Sequence, residues 1–111
     1  MELSSLDEFK MQVALGLVED HDILTLACNE NTPTNILDYL AVYSNYTSVV
    51  ARNHNTSEQA LKNLALTSKH NFVRADATRN PVLSTDTLKY ILEHSDHPVI
   101  CSIAAKLYSE R

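Results

Sequence analysis

Val50-Ala51-Arg52-Asn53-His54-Asn55-Thr56-Ser57-Glu58-Gln59-Ala60-Leu61-Lys62-Asn63-Leu64-Ala65 reads as the end of a short helix, a tight polar turn and a second, amphipathic helix. The pattern recurs. Ala27-Cys28-Asn29-Glu30-Asn31-Thr32-Pro33-Thr34-Asn35-Ile36-Leu37 precedes it, and Thr78-Arg79-Asn80-Pro81-Val82-Leu83-Ser84-Thr85-Asp86-Thr87-Leu88 follows it. Asn29, Asn53 and Asn80 each stand eight residues before Leu37, Leu61 and Leu88. One such unit cannot bury its own apolar flank; stacked units share a continuous core.

The chain of 111 residues has the length of one domain, with one glycine and three prolines and little period-two alternation, which predicts an all-α fold. Read outward from the central unit, residues 1–20 form an N-terminal capping helix and its exit. Residues 22–44, 45–68 and 69–95 form three helix-pair repeats, and 96–111 half of a fourth. The predicted architecture is a right-handed α-solenoid of about three and a half repeats. Ser4 or Ser5 is expected to cap the first helix, over 6–18, with Leu6, Phe9, Val13 and Leu17 as its apolar face. Gly16 costs that helix about 1 kcal/mol relative to alanine. Asp20 or Asp22, Thr32, Thr56 and Ser84 are the expected helix caps, with Pro33 at a first helical position. Asn45, Asn71 and Asp96 are placed at the starts of further short helices, and Tyr43 is expected to point inward. The asparagines at the turns are read as structural, in the left-handed conformation that ends helices. The repeat grows from 24 residues, Leu37 to Leu61, to 27, Leu61 to Leu88; the three extra residues are placed in the loop 67–71.

Val73-Arg74-Ala75-Asp76-Ala77-Thr78-Arg79-Asn80-Pro81 and Val50-Ala51-Arg52-Asn53 together resemble the leucine-rich repeat variant, a short relative in shape of the HEAT and armadillo helical repeats. The likeness spans roughly residues 22–107. It weakens in the first unit, where Cys28 replaces the arginine, and in the fourth, where Lys106 stands in for the asparagine. The resemblance implies a solenoid used as a binding surface. That family's founding member is associated with a cysteine-ligated iron–sulfur cluster ahead of its repeats. This chain has no such cysteine group, so no cofactor is expected.

The net charge of −5 disfavours nonspecific binding to nucleic acid or to an anionic membrane. It is unevenly spread: residues 1–50 set eight acids against Lys10 alone, net −7, whereas residues 51–111 set eight bases against six acids, net +2. Cys28 and Cys101 are expected to be buried, reduced thiols, which with no visible signal peptide or membrane span suggests the cytoplasm.

Three groups of residues are candidates for function. Asp20, Asp22, Glu30 and Asp38, joined by Tyr39 and Tyr46, make a protein-docking face; the acids are otherwise a solvated surface, the tyrosines half-buried packing. Arg52, Arg74 and Arg79, with Lys106, make a ladder for phosphate or an acidic partner, or else serve helix ends. His94, His97 and Cys101 have metal-like spacing, against the plain reading of two loop histidines and a core thiol; no metal is assigned. No nucleophile–base pair, phosphate-binding loop or carboxylate pair is defined by spacing, and the chain is read as no enzyme. The expected function is a non-catalytic protein–protein interaction module. As a small inhibitor or adaptor, of phage or mobile-element type, it would dock its acidic face onto a nucleic-acid-handling complex. Direct nucleic-acid binding through the arginines is the alternative, and a homodimer through the open C-terminal end is a further expectation.

Overall fold

The computed structural model describes residues 6–43 and 45–111, with Tyr43 by its backbone alone. The expected cap at Ser4 or Ser5 and the inward side chain of Tyr43 therefore lie outside what is described. Eight helices appear among the described residues, and no strand: α1 (Leu6–Ala14), α2 (Asp20–Cys28), α3 (Thr34–Tyr43), α4 (Thr47–Arg52), α5 (Glu58–Thr67), α6 (Asn71–Thr78), α7 (Thr85–His94) and α8 (Pro98–Ser109). They alternate between two layers. Each of α1, α3, α5 and α7 neighbours the next along one layer, and each of α2, α4, α6 and α8 along the other. The body is elongated, 45 × 24 × 18 Å.

The core lies between the layers. Phe9, Leu37, Leu61 and Leu88 are the fourth residues of α1, α3, α5 and α7, and all four are fully buried. Leu40, Leu64 and Ile91 follow three positions later on the same helical face and are buried too. The opposing layer presents smaller residues, Ala27, Val50, Ala51, Val73, Ala77 and Ala104, all fully buried, which lets the helices approach closely.

Polar side chains set the register of this stack. Asn53 donates its side-chain amide to the carbonyls of Ala27 (2.8 Å) and Asn29 (3.0 Å). Asn80 repeats this one step on, donating to Ala51 and Asn53, both at 3.0 Å. Each asparagine Oδ1 also accepts the backbone N–H two residues ahead: Asn31 on Asn29, Asn55 on Asn53 and Val82 on Asn80. The asparagines thus form a ladder that satisfies orphan carbonyls at helix ends. The expected left-handed backbone is corrected. Asn29 and Asn53 are extended, at φ −84° and −79°, and no non-glycine residue among those described has positive φ. An asparagine side chain can close the turn by itself, so the backbone need not enter the strained region.

Helix ends follow the same logic with local corrections. Ser57 and Ser84 cap α5 and α7, accepting the N–H groups of Ala60 and Thr87. Thr56 and Thr32, expected as caps, each sit one residue too early; their hydroxyls donate backwards, to Val50 (2.8 Å) and Leu26 (2.6 Å). Pro33 occupies the cap position of α3, its carbonyl accepting from Ile36 and Leu37. α4 starts two residues after Asn45, and Asn71 lies inside α6 behind His70. Asp96 stands ahead of the His97 cap position, with Pro98 in the first turn of α8. Asp22 accepts the Glu19 N–H at the start of α2.

α1 stops four residues short of the expected 18 because Gly16 adopts φ +73°. Gly16 N–H bonds Val13 and Leu17 N–H bonds Gln12, which closes the helix with a glycine-dependent turn. Leu17 is consequently 65% exposed rather than on the buried face.

The change of period is also relocated. α2, α6 and α8 each run nine residues from first residue to the ladder position, at Asn29, Asn80 and Leu107; α4 runs six, to Asn53. Three residues separate α3 from α4, α5 from α6 and α7 from α8. The shorter repeat therefore comes from a turn missing from α4, not from residues inserted in a loop. Removing three residues, close to one helical turn, keeps Asn53 pointing the same way. By the same count Leu107, not Lys106, takes the ladder position in α8, and the ladder ends there.

Candidate functional site

A groove of about 620 Å³ opens between α3 and α5, with the first residue of the short helix α4 on its lining. Its walls include Asp38, Ala41 and Val42 of α3 and Ala60, Asn63 and Leu64 of α5. Thr47, the first residue of α4, lines it too, as do Lys69 and His70. Val42 stands 71% exposed on the wall. Gln59, Asn63 and Thr67 follow one another at four-residue steps along α5, a polar row of about 12 Å at 1.5 Å per residue. Gln59 donates to Asn63 at 3.2 Å, and the Thr67 hydroxyl donates to the Asn63 carbonyl.

Asp38 brings a charge into this groove while supporting the fold. Its Oδ1 accepts the Ser57 N–H at 3.1 Å, so a residue of α3 secures the start of α5. Glu58 does the same for the next helix, accepting the Ser84 N–H at 2.7 Å and the Thr87 hydroxyl. Hydrogen bonds from Ser84, and then Thr87, hold the Glu58 carboxyl below its usual value.

The other expected acids lie elsewhere. Asp20 and Asp22 open α2, where His21 sits 3.2 Å from Glu19 and 3.4 Å from Asp22. Glu30 follows the far end of α2, beyond a nine-residue helix about 13 Å long. There it lines a small cleft with Cys28, Val49 and Arg52, so one expected acid and one expected arginine share a site. Tyr39 is half-buried, its ring edge-on to Phe9 at 5.9 Å with the Lys10 ammonium 5.2 Å from its centroid. Tyr46, also half-buried, packs on the core beside α4.

Arg52 donates to the Ser48 carbonyl at 3.3 Å. Arg74 donates to the Ser68 carbonyl at 2.7 Å and lies 3.4 Å from Asp96. Arg79 is exposed at the end of α6. Arg111, which spacing did not single out, donates to the Leu83 carbonyl and ties the end of the chain to the turn before α7.

His94 turns to the Tyr90 carbonyl at 2.9 Å, and the Cys101 thiol to the Ser95 carbonyl at 3.3 Å. No group of three metal-ligating side chains is gathered among the described residues. Cys28 is exposed and Cys101 half-buried, which corrects the expectation of two buried thiols. Cys28 ends α2 on the flank facing the Glu30–Arg52 cleft, a flank that apolar periodicity alone does not distinguish from the core. No helix among the described residues is long and apolar enough to cross a membrane. No family model, curated protein or solved structure matches the chain.

Proposed function

We propose that this chain is a non-catalytic protein-binding module, a small inhibitor or adaptor working in the cytoplasm. In this reading its two layers are a right-handed α-solenoid of about three and a half short repeats behind a capping helix. It would be akin to the leucine-rich repeat variant and HEAT-like arrays. The observation that carries the reading is the open groove between α3 and α5, whose two walls are joined by the bond from the Ser57 N–H to Asp38. A concave strip lined by both apolar and amide side chains suits an extended segment of another protein. Arg52 and Arg74 already donate to backbone carbonyls, which favours this reading over direct nucleic-acid binding.

A basic, nucleic-acid-handling partner fits the net charge of −7 over residues 1–50. Capture of partners on the immobilised chain is the test. Reversal of Asp20 and Asp22 to lysine reads the acidic start of α2 without disturbing the bond that Asp38 makes to Ser57 at the start of α5. Loss of the partner supports docking of that acidic end, and unchanged capture removes it. A DNA or RNA shift that weakens steeply with salt would replace the protein-binding reading altogether.

A further inference from the structure

Along the α1, α3, α5, α7 layer, the junction between successive helices follows a rule with one exception. The fifth residue of α1 is Lys10, and its ammonium lies 5.2 Å from the ring of Tyr39, the sixth residue of α3. The fifth residue of α5 is Lys62, and its ammonium lies 4.3 Å from the ring of Tyr90, the sixth residue of α7. At each of these two junctions an aromatic ring bridges adjacent helices beneath a cation. The junction between α3 and α5 has Asp38 and Asn63 at the same two positions. Asn63 bonds Gln59 on its own helix instead of bridging back to α3. That junction is where the groove of about 620 Å³ opens.

We infer that the α3–α5 groove takes an aromatic side chain of a partner protein, carried beside an arginine or lysine that pairs with Asp38. The incoming ring fills the place that Tyr39 and Tyr90 fill in the neighbouring junctions. The incoming cation restores the charge that Lys10 and Lys62 supply there, now held by the carboxylate opposite. Asp38 is half-buried, and among the described residues its Oδ1 accepts a neutral N–H from Ser57 and no cation, so its charge is left for a basic group. A polar row of about 12 Å accommodates roughly four extended residues at ~3.3 Å each, so the occupant is a short strand-like segment and not a lone side chain. The inference rests on the protein-binding reading and specifies its site and ligand chemistry.

The test uses the full chain and four-residue peptides, followed by backbone amide shifts. Acetyl-Ala-Arg-Tyr-Ala-amide is expected to move Val42, Ala60, Asn63 and Leu64. Replacing its tyrosine by alanine, or its arginine by glutamate, is expected to weaken binding about fivefold or more. Asn63→Tyr, which supplies the missing ring from within, is expected to abolish those shifts while the melting temperature holds or rises. Asp38→Asn keeps an acceptor for Ser57 and is expected to remove the arginine preference alone. No shifts up to about 10 mM peptide, a range set by millimolar affinities of such small ligands, would overturn the inference. Equal binding of the alanine peptide, or undiminished binding to Asn63→Tyr, would do the same. Whole partners captured equally well by Asn63→Tyr would also sink the groove assignment, yet leave the protein-binding reading standing.

Discussion

Asn80→Ala removes a rung of the asparagine ladder, and its cost follows from the three bonds that end on this side chain. Asn80 is 3% exposed. Its amide serves the carbonyls of Ala51 and Asn53, and its Oδ1 serves the Val82 N–H. Each bond contributes about 1 kcal/mol net, and stranding buried carbonyls adds to that, so the loss is about 3–4 kcal/mol. For a domain of this length that is a fall in melting temperature of roughly 12–16 °C, at about 4 °C per kcal/mol. Asn29→Ala is the internal control. Asn29 is exposed at the first position of the ladder, where among the described residues its side chain accepts the Asn31 N–H at 2.9 Å and reaches no carbonyl, so its loss should cost about 1 kcal/mol or less. Asn80→Asp keeps the shape and the Oδ1 acceptor but turns a donor into an acceptor facing two carbonyls, so it should be at least as damaging as alanine at neutral pH. Urea melts of the three variants measure this. Equal losses for Asn29→Ala and Asn80→Ala, or a harmless Asn80→Asp, would refute the ladder as the source of register. Asn80→Gly that matched wild type would point back to a backbone requirement instead.

The Glu58 carboxyl has its folded value depressed by Ser84 and Thr87, so its stabilising contribution is present above the unfolded value, near 4.5, and is lost as pH falls through the lower folded value. An acid titration of stability should therefore lose one component in Glu58→Gln, seen as a flatter decline below about pH 4.5. Gly16→Ala places a side chain at φ +73° where, among the described residues, no atom beyond the neighbouring chain lies within 4 Å of the new Cβ, so the cost is backbone strain, about 1 kcal/mol, read as a small drop in melting temperature. Leu61→Ala, at a fully buried position, should cost about 2–5 kcal/mol by calorimetry or urea melt. With a thiol reagent in native buffer, Cys28 should react fast and Cys101 slowly, and Cys28→Ser should abolish the fast phase.

Several features were legible along the chain because they repeat locally. Leu37, Leu61 and Leu88 share a spacing from their asparagines, and that spacing alone places them on one face of equivalent helices; all three are fully buried. Ser84 could be recognised as a cap because a hydroxyl before an amphipathic run satisfies orphan N–H groups within three residues. The asparagines could be recognised as structural for a similar reason, although the local rule pointed to a left-handed backbone. Their amides instead reach across 24 to 29 residues of sequence, which no local rule contains.

The candidate groove lies at the opposite extreme. Asp38 was visible as an acid, but its bond to Ser57 depends on how α3 lies against α5. Asn63 carried no signal, since its meaning comes from being the exception to Lys10–Tyr39 and Lys62–Tyr90 across neighbouring helices. An all-helical chain with leucines in register could be read from residue order, because helix periodicity and turn chemistry act over a few residues. The position of the groove came from packing, because a vacancy is a property of α3, α4 and α5 lying together and belongs to none of them alone.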